Sequence, residues 1–274
     1  MRTICSIFLT IIFCLSYIPT HATPTPPHDT GLLYLVNRQS PLPESYRPSD
    51  LIRYKNTELR APAHDAFIQM LAAMEAEGIQ GLRLQSAYRS HEYQRAIFEQ
   101  RVKELTAKGK SRQVAEQITA QSIQFPGASE HQLGLALDVS IDGKLSQSFA
   151  ETTAGQWLAR NCHKFGFIIR YPKERTDITG IIYEPWHLRY VGHPHAQIIA
   201  ETGLTLEEYH TFLAAIYAYI VWEEDGYYLV SYSPTPPDPT DNAVFSATSH
   251  SENAGFIISH GVETYEKAHH INSR

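Results

Sequence analysis

The residues best suited to chemistry fall in two short stretches. Ser129-Glu-His-Gln-Leu-Gly-Leu-Ala-Leu-Asp-Val-Ser140 carries His131 and Asp138, and Tyr183-Glu-Pro-Trp-His-Leu-Arg-Tyr190 carries Glu184 and His187. Imidazole nitrogens and carboxylate oxygens are zinc donors, and hydrolytic zinc uses three protein ligands with a fourth position left for water. His131, Asp138 and His187 make up such a set. Glu184 is then a spare carboxylate able to take the water's proton. Each residue alone has a plainer reading, such as a satisfied core histidine, a capping aspartate or a surface carboxylate. The combination points to metal-assisted hydrolysis. Other divalent ions suit the same donors; the expectation is one Zn2+ per chain.

Ser-x-His-x-x-Gly-x-Ala-x-Asp followed by Glu-Pro-Trp-His-x-Arg-Tyr resembles the VanY-type D-alanyl-D-alanine carboxypeptidases, LAS-type zinc peptidases of peptidoglycan metabolism. The likeness extends from about Leu33 to about Tyr209 and includes Ser86-Ala-Tyr-Arg-Ser90. The resemblance implies that Glu184 is the general base and then the acid to the departing amine. It implies that Arg89 holds the substrate or a developing oxyanion, where a plain reading is a weak surface ion pair. It implies as well that Gln94 and Ser129 take positions that contact the substrate's terminal residue, while Trp186 walls the pocket or is simply a core tryptophan. The expected function is a D,D-carboxypeptidase trimming D-alanine from peptidoglycan stem peptides. L,D-carboxypeptidases, D,D-dipeptidases and cell-wall endopeptidases share the architecture and differ in pocket depth and loop shape. A non-catalytic wall-binding module would have less reason to keep all four residues.

The chain has 274 residues, 43% of them hydrophobic, and a net charge of -6. That suits one good-sized domain plus an appendage, and offers no basic patch for nucleic acid. Ile4 to Ile18 is apolar after Arg2, too short for a convincing membrane span, and Thr20-His-Ala22 approximates a cleavage site. Residues 1–22 therefore read as a signal peptide, with an uncleaved anchor as the alternative. The mature chain is expected to be a monomer without a transmembrane span, secreted, periplasmic or cell-wall associated. Cys5 and Cys14 leave with the signal, so Cys162 has no partner for an internal disulfide. Lying on a helical pattern beside Trp157, Leu158 and Phe165, it reads as a buried, inert thiol.

The elements that must position these residues are legible in outline. From Leu133 to Ser140 the alternation predicts a strand, with Leu133, Leu135, Leu137 and Val139 on one face and Gly134, Ala136, Asp138 and Ser140 on the other. Upstream lie a short strand at Leu32–Val36 and an extended arm with three prolines to Asp50. A helix has Pro62 in its first turn, Phe67, Met70, Leu71 and Met74 at helical spacing, and Gly78 at its end. A strand at Leu82–Ser86 leads to a helix capped by Ser90 and running to about Lys108, then a short helix within Ser111–Ser122.

Downstream, Asp142-Gly143 suggests a hairpin-like turn, and a capping box at Thr153–Gln156 opens a helix ending at Gly166. Strands are expected at Phe167–Tyr171 and from Ile181, with Glu184 at a bulge or edge because Pro185 cannot donate to a ladder. Helices follow from Pro194 to Gly203 and from a capping box at Thr205–Glu208. His193, His195, His269 and His270 read as solvent-facing. After Asp225-Gly226 come strand-like runs at Tyr227–Ser233, Ala243–Ala247 and Gly255–Ser259, with a proline-rich connector at Pro234–Asp241. The predicted fold class is α+β: a small, mostly antiparallel sheet with helices packed on one side, plus a small C-terminal β appendage. The predicted divisions are 1–22 signal peptide, 23–50 arm, 51–224 catalytic domain and 225–274 appendage.

Overall fold

The computed structural model describes residues 31–216, 218–223, 226–233, 245–251 and 255–263. The expected signal peptide, residues 23–30 of the expected arm, the proline-rich connector, and His269 and His270 lie outside the described residues. The described residues divide into two compact units: Leu32–Tyr209, and those from His210 onward.

The Leu32–Tyr209 unit opens with an irregular segment. Leu33, Leu35 and Val36 are buried there without forming the expected strand. Strands β1 (Leu51–Tyr54) and β2 (Thr57–Arg60) form an antiparallel hairpin that the sequence reading missed. Helix α1 (Ala61–Ala76) carries Pro62 in its first turn and buries Phe67, Met70 and Met74. Strand β3 (Arg83–Ser86) leads to α2 (His91–Ala107), where Ser90 accepts from the Tyr93 N–H, and α3 (Arg112–Thr119) is capped in the same way by Ser111. Strand β4 (Ala136–Ser140), α4 (Thr153–Asn161), β5 (Phe167–Ile169) and the short α5 (Thr176–Thr179) follow. Then come β6 (His187–Tyr190), α6 (His195–Thr202) and α7 (Leu206–Ile216).

β3, β4, β6 and β5, in that order, form one antiparallel sheet. Leu137 and Val139 of β4 and Leu188 of β6 share a core with Phe67, Met70 and Met74 of α1 and Trp157 and Leu158 of α4. Full burial of side chains of this size contributes roughly 1.5–3 kcal/mol each. The fold is α+β with small antiparallel sheets. The other face of the sheet, carrying Ala136, Asp138, His187 and Arg189, is also buried, so both faces of the central strands are covered.

Several local expectations change. The predicted strand from Leu133 begins only at Ala136; residues Glu130–Leu133 form a 3-10 turn closed by Gly134 at φ 69°. Asp142-Gly143 leads not to a hairpin but through a loop to a 3-10 turn at Gln147–Glu151. The cap of α4 is Thr152 rather than Thr153, its side chain accepting from the Gly155 N–H. Residues 181–186 form no strand, and β6 begins at His187 itself. His195 is buried, not solvent-facing, and its Nδ1 lies 2.8 Å from the Tyr209 hydroxyl. Cys162 is buried as expected, and Thr205 with Glu208 forms the reciprocal box that caps α7.

In the second unit, β7 (Ala218–Glu223), β8 (Gly226–Ser233), β9 (Phe245–Ser251) and β10 (Gly255–Glu263) form an antiparallel sheet in the order β7-β8-β10-β9. β9 and β10 run longer than the sequence suggested, and β7 was not foreseen. Val221, Val230 and Ile257 are buried in it.

Candidate metal centre and active site

Strand register makes the first pairing. In the antiparallel β4–β6 ladder Asp138 sits directly opposite His187. On the other side of β4, Ser86 at the end of β3 faces Asp138 across an irregularity in the ladder. Asp138 and His187 are 49 residues apart in the chain, and one ladder step brings them together. His131 reaches the same place from the 3-10 turn. Its carbonyl accepts from the Arg89 N–H at 3.1 Å, which pins the turn to the chain leaving β3.

The three side chains converge. Asp138 Oδ1 lies 2.9 Å from His187 Nδ1, and Oδ2 lies 3.2 Å from His131 Nε2. The imidazole rings stand at 89° with centroids 4.9 Å apart. One donor atom from each residue falls within 4.8 Å of the others, and all three residues are buried. On the far side of the His131 ring, Nδ1 lies 2.7 Å from the Ala87 carbonyl. A carbonyl only accepts, so Nδ1 carries the hydrogen and Nε2 presents a bare lone pair. Burial, followed by Arg89, lowers the His131 pKa to about 4, against the pull of Asp138. Burial pushes the Asp138 carboxyl up, but His131 and Arg89 outweigh it and hold it well below the usual range. At neutral pH the site therefore offers a neutral imidazole and a carboxylate, the forms that bind metal. Two nitrogens and an oxygen on a closed face fit a zinc ion.

Glu184 lies on the turn entering β6. Its carbonyl accepts from the His187 N–H and its N–H donates to the Tyr171 carbonyl, both at 3.1 Å. Its Oε2 is 3.8 Å from His187 Nδ1. Burial and then Asp138 push its pKa up to about 9, with Arg89 opposing. A cation among the three donors would draw that value down again.

Arg89 leans into the site from the short connection between β3 and α2. It donates to Asp138 Oδ2 at 2.5 Å, to Ser86 Oγ at 2.8 Å and to Gln94 Oε1 at 3.4 Å. Gln94 is buried on α2 and anchored by its own bond to the Gln124 carbonyl at 2.7 Å. Ser129 is buried two residues before His131. Trp186 belongs to the main apolar core, its carbonyl accepting from the Val139 N–H at 3.0 Å.

A second layer escaped the sequence reading. Glu130 Oε1 accepts from Arg170 Nε at 2.7 Å and pairs with Arg189 Nη1 at 2.8 Å. Arg170 also forms a two-pronged pair with Glu207, at 2.9 and 2.6 Å. Burial pushes the Glu130 carboxyl up, but Arg170 and Arg189 outweigh it and it ends below its ordinary value. Arg189 was legible only as part of a motif, and Glu130 as the neighbour of a ligand. Nothing local marks them as partners.

Two histidines and an aspartate gathered beside one ladder step, with a carboxylate and an arginine next to them, are the arrangement of a metallohydrolase. The chain belongs to the VanY family of D-alanyl-D-alanine carboxypeptidases, whose family model matches residues 56–193. It is 36% identical over 194 residues to a bifunctional D-Ala-D-Ala dipeptidase and carboxypeptidase of Enterococcus gallinarum, covering 66% of this chain and 95% of that one. A vancomycin-resistance D,D-pentapeptidase, VanY from a VanB-type cassette, was solved in complex with Zn(II). It is 40% identical, with a TM-score of 0.58 over 65% of this chain and 97% of that one. The LdcB LD-carboxypeptidase is also 40% identical, with a TM-score of 0.59 over 66% and 86%.

Proposed function

We propose that this chain is a secreted zinc D,D-carboxypeptidase that removes the terminal D-alanine from peptidoglycan stem peptides. The observation that carries the reading is the meeting of His131, Asp138 and His187 with Glu184 3.8 Å from the last of them. His131, Asp138 and His187 would hold one zinc ion. When bound, zinc supplies Lewis acidity, polarising a carbonyl and bringing the pKa of water to about 7.

The protein's own groups do the rest. Glu184 Oε2 takes a proton from the attacking water and returns it to the nitrogen of the departing D-alanine. The Arg89 guanidinium, held by Ser86 and Gln94, offers charge to the substrate carboxylate or to the oxygen that gains charge during attack. Ser129 and Gln94 border the terminal residue of the substrate. No covalent acyl-enzyme is required.

Secretion rests on the apolar stretch between Ile4 and Ile18. Among the described residues, no helix is long and apolar enough to cross a membrane. The division into signal peptide, arm, catalytic domain and appendage belongs to the same proposal.

A second reading, L,D-carboxypeptidase, is favoured by one comparison: LdcB matches this chain as well as VanY does. Mass spectrometry of muropeptides incubated with the purified chain separates the two. Loss of one alanine from pentapeptides supports the D,D reading. Alanine lost from tetrapeptides alone moves the activity to L,D. No cleavage of either, with zinc bound, removes the carboxypeptidase reading.

A further inference from the structure

We propose that Glu130 is a positioning residue for His187, and that Arg170, Arg189 and Glu207 hold it in place for that role. The inference rests on the zinc reading above. It starts from two buried polar atoms that face each other without partners. His187 Nε2 and Glu130 Oε2 each lack a hydrogen bond, and they lie 4.0 Å apart.

The two nitrogens of His187 have different surroundings. Nδ1 points at Asp138 and Glu184, at 2.9 and 3.8 Å, and is the ligating atom. A neutral imidazole carries one hydrogen. If Nδ1 is to donate its lone pair to a metal, the hydrogen must sit on Nε2. Nε2 is buried, and the carboxylate nearest to it is Glu130. Shortening the separation by about 1 Å would make a normal hydrogen bond. A carboxylate behind a ligating histidine fixes its tautomer and ring plane and raises its basicity toward the metal.

Glu130 is built for such a role. Its side chain is 0% exposed. Arg170 and Arg189 both approach its other oxygen, Oε1, which leaves Oε2 facing the ring. The Arg189 approach is an ion pair without hydrogen-bond alignment. Arg170 is in turn clasped by Glu207 at the start of α7. Two carboxylates and two guanidiniums balance, so the Glu130 charge can persist in the interior. Register explains the convergence: the Arg170 N–H donates to the His187 carbonyl, and Arg189 lies two residues beyond His187 on β6. Both arginines therefore share the sheet face of the ligand.

The test uses the metal-stripped full chain and a chromophoric chelator competing for Zn2+. Glu130→Gln keeps the shape and loses the charge, and is expected to weaken zinc binding by about 10–100-fold, the usual effect of losing a partner behind a ligand. The same substitution is then made in a His187→Ala background. With the ring gone, Glu130→Gln should cost only a few-fold. A residue that acted only through the fold would cost the same in both backgrounds.

If Glu130→Gln does not fold, Glu207→Gln is the second variant, at a carboxylate that is 17% exposed. It should weaken zinc in the same direction by up to about tenfold, and by less in the His187→Ala background. Unchanged affinity in Glu130→Gln, or equal losses in the two backgrounds, overturns the inference and leaves the zinc reading standing. A native chain that binds no zinc overturns the zinc reading, and this inference with it.

Discussion

At the residue scale, Glu184 and Cys162 show how burial can serve opposite ends. Glu184 is buried beside charge, so its affinity for a proton responds to whatever cation the site holds. Glu184→Gln keeps the shape but cannot accept a proton. It should bind zinc normally and lower turnover on stem peptide by ~10²–10⁴-fold, about 3–5 kcal/mol of barrier. Metal content and steady-state kinetics on one preparation decide it: zinc lost would make Glu184 a ligand, and turnover kept would pass its role to another group. Cys162 is buried among apolar neighbours, and burial raises its thiol to about 12. In a chain lacking residues 1–22, it should resist a thiol reagent at pH 8 and react fully in guanidinium. A thiol pKa raised on folding is a stabilisation present below the unfolded value of about 8.5 and lost as pH rises toward the folded one. The urea midpoint should therefore fall between pH 8.5 and 10.5 by less in Cys162→Ala than in the native chain. Parallel curves would mean that the thiol ionises freely when folded.

At the element scale, the 3-10 turn of His131 depends on how it ends. Gly134 takes φ 69° and returns the chain to β4. A Cβ there would meet Leu51 Cδ2 at 2.9 Å and Arg60 Cγ at 3.1 Å. The left-handed conformation alone costs a non-glycine residue about 1–2 kcal/mol. Gly134→Ala should lower Tm by about 3–8 °C and weaken zinc, because the turn carries a ligand. Thr152→Ala removes the cap of α4 at a cost of about 1 kcal/mol but lies away from the ligands, so zinc affinity should hold. Calorimetry and chelator competition on the two variants separate a turn that positions a ligand from a helix cap that only stabilises. Equal zinc affinity in both would detach the Gly134 turn from the site.

At the scale of the whole molecule, every group assigned to the site lies in the Leu32–Tyr209 unit. In the four-stranded sheet that follows, β7 pairs with β8, β8 with β10 and β10 with β9. A cut near Asp225, where the sequence changes character, would split β7 from β8. A cut after Ile216, at the end of α7, leaves that sheet's strands together on the discarded side. A chain ending at residue 216 should bind zinc and cleave a small soluble peptide at a rate near that of the full chain. If it keeps its circular dichroism but loses all activity, the second sheet is part of the catalytic unit.

What the sequence determined by itself was chemical and local. The donor types and their order named the reaction class, since few chemistries need two histidines, an aspartate and a spare glutamate together. Caps such as Ser90 and Thr205 were readable because their partner lies three residues away. The tertiary structure decided whatever depends on a distant partner. The run at Ile181–Tyr183 has the composition of a strand but gains no ladder, while β7 forms because β8 is there to pair with it. Glu130 looked like an ordinary polar residue beside a ligand. Its partner Arg170 is 40 residues away, and only the folded sheet places that charge, with Arg189, behind His187.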